Sequence, residues 1–281
     1  MNFLFPVLAA VLQAGSFTLD KVILSIRRIS YKTYVGVSFP LIFIITLGIF
    51  FIFRPPLTLE LIKGSIWLIV ISVGMTIITN LIFYRALHDD NLGEIQTLDL
   101  LRNIPIIIST SILFADERNF AVIIPAILAS FAIIWSHWER HHFKIAKHTL
   151  PFVIWSLCVA AIGPPISKIL LETWNPISLE LVRSFGTAVL LGPLFFQDAQ
   201  KIPSKGFLLL LGTNILTSIA WILFNFSYQR LGIIYTILIF SLQPLLVYIA
   251  SVLILKERFA WKKAVAFVIV LVSIGMAQII G

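Results

Sequence analysis

The chain has 281 residues, of which 59% are hydrophobic and 12% charged, with a formal net charge of +8. A soluble domain carries roughly 25% charged residues, so this chain has too little polar surface for a soluble globular enzyme and too little to stay disordered in water. The basic excess would suggest nucleic acid in a soluble protein, but here most basic residues lie between apolar runs and read as membrane-surface and topology signals.

A spanning helix needs about 20 apolar residues. The sequence predicts ten, at about 3–26, 32–53, 65–87, 92–114, 119–136, 150–172, 176–196, 206–229, 233–255 and 260–280. The first run lacks a basic leader, and Asp20 and Lys21 stand where a cleavage site would need small residues, so it is expected to be a retained helix. Gly15 in the first helix and Gly163, Pro164 and Pro165 in the sixth are expected to interrupt those helices. Pro105 and Pro244, early in the fourth and ninth, are expected to hinge or bend theirs. Trp67, Trp135, Trp138, Trp174 and Trp261 fall at run ends, where an interfacial belt would place them. The single cysteine, Cys158, excludes an intramolecular disulfide and a cysteine-cluster metal site.

The polar stretch His137 to Thr149 divides the chain into 1–136, a connecting loop 137–149, and 150–281. The two halves share features in the same order. Lys21 and Lys168 are 147 residues apart, Pro105 and Pro244 139 apart, and Glu117-Arg118 and Glu257-Arg258 140 apart. Five spans per half is an odd number, so the second half enters the membrane from the opposite side. The expected fold is an all-α membrane protein with ten transmembrane helices arranged as two inverted five-helix repeats, an architecture that places a substrate site near the midplane.

With these features the chain resembles the drug/metabolite transporter superfamily, specifically its ten-helix EamA-type members. The resemblance rests on the two five-helix halves, on Phe83-Tyr84-Arg85-Ala86-Leu87 closing the third helix, and on Asp116-Glu117-Arg118 and Lys256-Glu257-Arg258 ending the fourth and ninth. Ala126 and Ala266 replace a glycine usual in the fifth helix of each repeat, and Ala115 and Leu255 stand where glycine often precedes the acidic pair. These motifs are shared across many cargoes, so the resemblance implies two EamA-like repeats and transport without naming a substrate. Basic residues number 13 on the side of the loops after helices 1, 3, 5, 7 and 9, against 4 on the other. That bias puts both termini outside the cytoplasm, whereas the resemblance implies both inside.

Ionisable groups inside a bilayer are costly and point to function. The fourth helix carries Glu94, Gln96, Asp99, Arg102 and Asn103, with Asp99 three residues from Arg102 and four from Asn103, on one face. Asp99 is the candidate proton-coupling or cation-binding carboxylate, unless Arg102 merely neutralises it. Glu94, near the helix start, suits the helix dipole and solvent as well as a coupling role. Arg183, three residues after Glu180, is suited to holding a carboxylate or phosphate bidentately, or to an intrahelical bridge. Lys21 and Lys168 either line a cavity or snorkel from helix ends. Asn80, Asn214, Trp221, Asn225, Tyr228, Gln243, Tyr248 and Gln13 suit a small polar solute, or hydrogen bonds between helices. His137, His141 and His142 lack a third ligand at metal-binding spacing, and no phosphate loop, nucleophile elbow or HExxH occurs. No enzyme activity and no cofactor is expected.

The expected function is a secondary transporter moving a small polar metabolite, such as an amino acid or related solute, by alternating access. Proton coupling and facilitated exchange both remain open. An exporter of amphipathic drugs or a flippase of a lipid-linked sugar is the alternative that 23 phenylalanines allow, and a non-transporting scaffold subunit is the rival of another class. The expected setting is a bacterial inner membrane, as a monomer or homodimer, with no nucleic-acid partner.

Overall fold

In hydrocarbon no water is at hand to bond a bare N–H or C=O, so a spanning chain satisfies its backbone inside helices. The computed structural model describes residues 3–26, 29–89, 100–136, 150–194, 202–254 and 261–280, and they are helical throughout apart from short connections. The helices are α1 (Leu4–Leu24), α2 (Tyr31–Phe53), α3 (Leu59–Asp89), α4 (Asn103–Leu113), α5 (Phe120–Ser136), α6 (Leu150–Leu171), α7 (Pro176–Leu191), α8 (Ser204–Leu231), α9 (Ile233–Phe240), α10 (Leu242–Ile254) and α11 (Trp261–Ile280). Among the described residues eight spans are long and apolar enough to cross a membrane, α9 and α10 together making one, and the shorter apolar α4 and α5 bring the number to ten.

Local chemistry sets several ends. The Ser30 hydroxyl accepts the Thr33 N–H at 3.1 Å and caps α2. The Asn175 carbonyl oxygen accepts the Ile177 N–H at 2.9 Å, with Pro176 opening α7 where its missing N–H costs nothing. Gly232, at φ +82°, turns α8 into α9.

The interruptions differ from those expected. α1 and α6 run unbroken through Gly15 and through Gly163, Pro164 and Pro165. A Cβ on Gly15 would make only an ordinary contact, 3.5 Å from Leu216, and one on Gly163 the same, 3.5 Å from Val159, so no close approach requires either glycine. The breaks lie instead before Pro105 and Pro244. A 3-10 turn at Leu100–Arg102 precedes α4, and a turn at Ser241 separates α9 from α10. Each proline is the third residue of the helix that follows, where it has no intrahelical N–H bond to lose. Trp67 and Trp261 are 78% and 62% exposed, but Trp174 is buried, its indole N–H donating to the Ser65 hydroxyl at 3.1 Å, so it is not part of a belt.

The packing maps onto itself when the halves are exchanged. α1 lies along α8 as α6 lies along α3, and α1 touches α9 and α10 as α6 touches α4. α2 packs on α7, and α5 on α11, each pair being its own counterpart. The α1–α8 seam is much more extensive than the α3–α6 seam. At α5–α11 the contact is made through small residues, and Ala126 and Ala266 are buried in the same cluster.

A second tie between the halves is ionic. Glu117 follows α4 in a short 3-10 turn, Ala115–Glu117, and is buried. Its carboxylate accepts the N–H groups of Ile233 at 2.7 Å and Ile234 at 3.1 Å, the free donors at the start of α9. Lys168 of α6 donates to the same carboxylate at 2.7 Å and to Asp116, with its ammonium over the Phe114 ring. A Cβ at residue 232 would lie 2.9 Å from Glu117 Oε1 in a backbone region that L residues avoid. Gly232→Ala is therefore expected to destabilise the protein by about 1–3 kcal/mol. Gly212→Ala, where nothing lies within 4 Å, is expected to be neutral or slightly stabilising. Thermal melts in detergent compare the two.

Candidate functional site

Two cations and an acid occupy the interior near the helix breaks. On α7, Glu180 and Arg183 stand three residues apart and so on one face. Asn225 of α8 donates to Glu180 Oε2 at 3.4 Å. Glu180 and Arg183 are surrounded by the bundle, yet both retain some accessible surface. Tyr228, one turn beyond Asn225, lies in the field of Arg183, Arg102 and Glu117. Charges from both halves of the chain thus converge on one tyrosine.

The breaks themselves meet. Asn103, at the start of α4, donates to the Ser241 hydroxyl at the α9–α10 turn at 3.3 Å. Gln243 is buried two residues further along. One wall is aromatic: Trp221 is edge-on to Phe224 at 5.4 Å, and Phe224 contacts Tyr228 at 4.5 Å and Phe240 at 4.7 Å. A ligand here would meet a guanidinium, a carboxylate, amides and ring faces. That set suits a small solute bearing opposite charges or an anionic head.

Other residues singled out in the sequence lie elsewhere. Asn80 donates to the Thr76 carbonyl of its own helix at 2.8 Å. Lys21 donates to the Leu87 carbonyl at 2.7 Å, and Lys168 belongs to the Glu117 junction, so each lysine ties its helix to a neighbour. Asp99 and Glu94 lie outside the described residues, as do Trp138, the three histidines of the connecting loop and Lys256-Glu257-Arg258.

A further acid lies outside the set of expected site residues. Asp20 of α1 has no accessible surface, and its carboxylate accepts from Tyr34 and Thr213, each at 2.5 Å, and from Tyr84 at 3.4 Å. Its signal in the sequence is the spacing Gln13, Ser16, Asp20, a polar stripe at steps of three and four.

At the Glu117 end a recess of about 380 Å³ opens, lined in part by Asp116, Glu117, Arg230, Tyr235 and Gln278. Its volume falls within the range of small-molecule sites. Glu117 links it to the interior, since that carboxylate lines the recess and its charge reaches Tyr228.

An all-helical bundle with polar and ionic groups turned inward is an integral, multi-pass membrane protein. Residues 149–278 match the model of the EamA-like transporter family. Among solved structures 24 chains match. One, a crystal structure, aligns over 99% of this chain and 96% of its own length, at TM-score 0.76 and 13% identity, and so shares the fold. No curated protein matches the sequence.

The rim of the junction carries a pH dependence. The hydrogen bond and charge of Lys168 hold the Asp116 carboxyl below its ordinary value of 3.8. A carboxylate lowered on folding adds stability above its unfolded value and loses it as pH falls through the lowered one. Asp116 is 70% exposed, so water screens much of the effect. The wild type is expected to melt slightly above Asp116→Asn at neutral pH, and the two curves to converge under acid, below the ordinary value of 3.8. Melting temperature against pH measures it.

Proposed function

We propose that this protein is a secondary transporter that moves a small zwitterionic metabolite of amino-acid type by alternating access between its two five-span halves, residues 1–136 and 150–281. The single observation that carries the reading is the Glu180–Arg183 pair on α7, inside the bundle but accessible, with Asn225 beside the acid. Arg183 is the group for a solute carboxylate, and Glu180 the group for its ammonium. Asn225 and Tyr228 orient both. Arg102 and Asn103, at the break in the first half, face the same region, and Gln243 stands at the matching break of the second half. A solute bridging them touches both repeats, and its binding energy can differ between two arrangements of the halves.

The wall of Trp221, Phe224 and Phe240 supports a second reading, in which the cargo is amphipathic and exported. Uptake into proteoliposomes separates the two. A neutral amino acid is expected to enter, and its amine and carboxylic-acid analogues to enter poorly. Arg183→Ala is expected to lower uptake at low solute by roughly tenfold or more, because a charge-assisted hydrogen bond is worth about 1.5–3 kcal/mol. Equal entry of the amine lacking a carboxylate would contradict the assignment of Arg183. Efflux of amphipathic cations without any amino-acid uptake would favour the second reading.

A further inference from the structure

We propose that Asp20 is the proton site of this transporter, and that the hydroxyls of Thr213, Ser16 and Thr217 form the wire that supplies it from the interior of the bundle. The proposal rests on the transport reading above for its coupling role, and on geometry alone for the proton site.

Asp20 lies four residues before the end of α1 and joins four helices: its own, α2 through Tyr34, α3 through Tyr84 and α8 through Thr213. Its partners there are hydroxyls, and each gives its hydrogen to the carboxylate. From Thr213 the chain of oxygens continues. Ser16 Oγ lies 2.8 Å from Thr213 Oγ1 and 2.6 Å from Thr217 Oγ1. All these hydroxyls are buried, and each of Thr213, Ser16 and Thr217 has one hydrogen and can also accept. Steps of four residues along α8 then lead from Thr217 to Trp221 and Asn225, about 12 Å further, where Glu180 stands.

The local geometry provides for both charge states. The carboxylate form needs donors and has three. The carboxylic acid has a hydrogen of its own and needs an acceptor. Thr213 becomes that acceptor if its hydroxyl hydrogen turns to the Ser16 carbonyl, 3.1 Å away. One proton then enters at Thr217 and one arrives at Asp20, each hydroxyl between them accepting a proton and passing its own along. No other bond is made or broken. With the charge gone, the bonds from Tyr34 and Tyr84 lose their ionic part. The ties of α1 to α2 and α3 weaken, and the tie to α8 becomes a neutral bond in which Asp20 donates and Thr213 accepts.

The titratable groups facing Asp20 are Tyr34 from α2 and Tyr84 from α3, while α8 faces it with Thr213. Lys21, next in sequence, bonds the Leu87 carbonyl. α9 and α10 also pack on α1. Their tyrosines are engaged elsewhere, Tyr235 with Gln278 and Tyr248 beneath the Lys263 ammonium.

Infrared difference spectra of the purified protein, taken across a pH titration, read protonation without any solute. A carboxylic-acid band is expected to rise as pH falls, to vanish in Asp20→Asn, and to shift in frequency in Thr213→Val, which keeps the shape of the side chain but removes the acceptor. A band that survives in Asp20→Asn, or that is unmoved in Thr213→Val, overturns the proposal, whatever the cargo proves to be. In proteoliposomes with a gradient of one pH unit, movement of one proton per solute drives about tenfold accumulation. Asp20→Asn is expected to lose that accumulation while still exchanging labelled for unlabelled solute. Wild-type uptake indifferent to the gradient, or full accumulation by Asp20→Asn, overturns the coupling role. If no amino acid is taken up at all, the infrared result stands and only the cargo assignment fails.

Discussion

A carboxylate within a membrane protein persists only where its own fold supplies partners, because lipid supplies none. Three acids meet that demand in three ways, and each holds different parts together. Glu117 takes two backbone donors from the start of α9 and an ammonium from α6, so one side chain of the first half fastens two helices of the second. Asp20 takes hydroxyl donors from three other helices. Glu180 has Arg183 on its own helix and Asn225 on the next, and it keeps part of its surface accessible. Asp20 is the one sealed among protein groups, whereas Glu117 borders the recess and Glu180 keeps accessible surface.

The second organising element is where the helices stop. A helix break inside a membrane leaves backbone groups that must be satisfied locally. Here both breaks fall just ahead of a proline, in corresponding places of the two halves, and they touch through Asn103 and Ser241. The unsatisfied ends and the polar side chains therefore share one region, and the fold concentrates polarity where the halves face each other.

Much of this was legible in the sequence. Lipid demands long apolar runs, so the spans stand out, and the odd number per half follows from counting. Arg102, Asn103, Arg183 and Asn225 stood out as polar residues in apolar surroundings. What escaped depends on neighbours that no local pattern shows. Gly15 and Gly163 look like breakers, but the helices run straight through them. Trp174 looks like an interfacial anchor until Ser65 of α3 is seen to accept its N–H. Asp20 looks like a charge near a helix end because Tyr34, Tyr84 and Thr213, which enclose it, lie far away in the chain. Lys168 and Glu117 each have a counterpart in the other half, and only the fold shows that they bond one another.

The seam between α1 and α8 and the seam between α3 and α6 are built from corresponding helices but are closed to different degrees. One protein thus displays a snug and a slack rendering of a single joint. Each rendering is a template for the other, so a shape in which the slack joint is the snug one is already drawn in the molecule's own parts. Its polarity across the bilayer would be reversed, without any new kind of contact having to be invented.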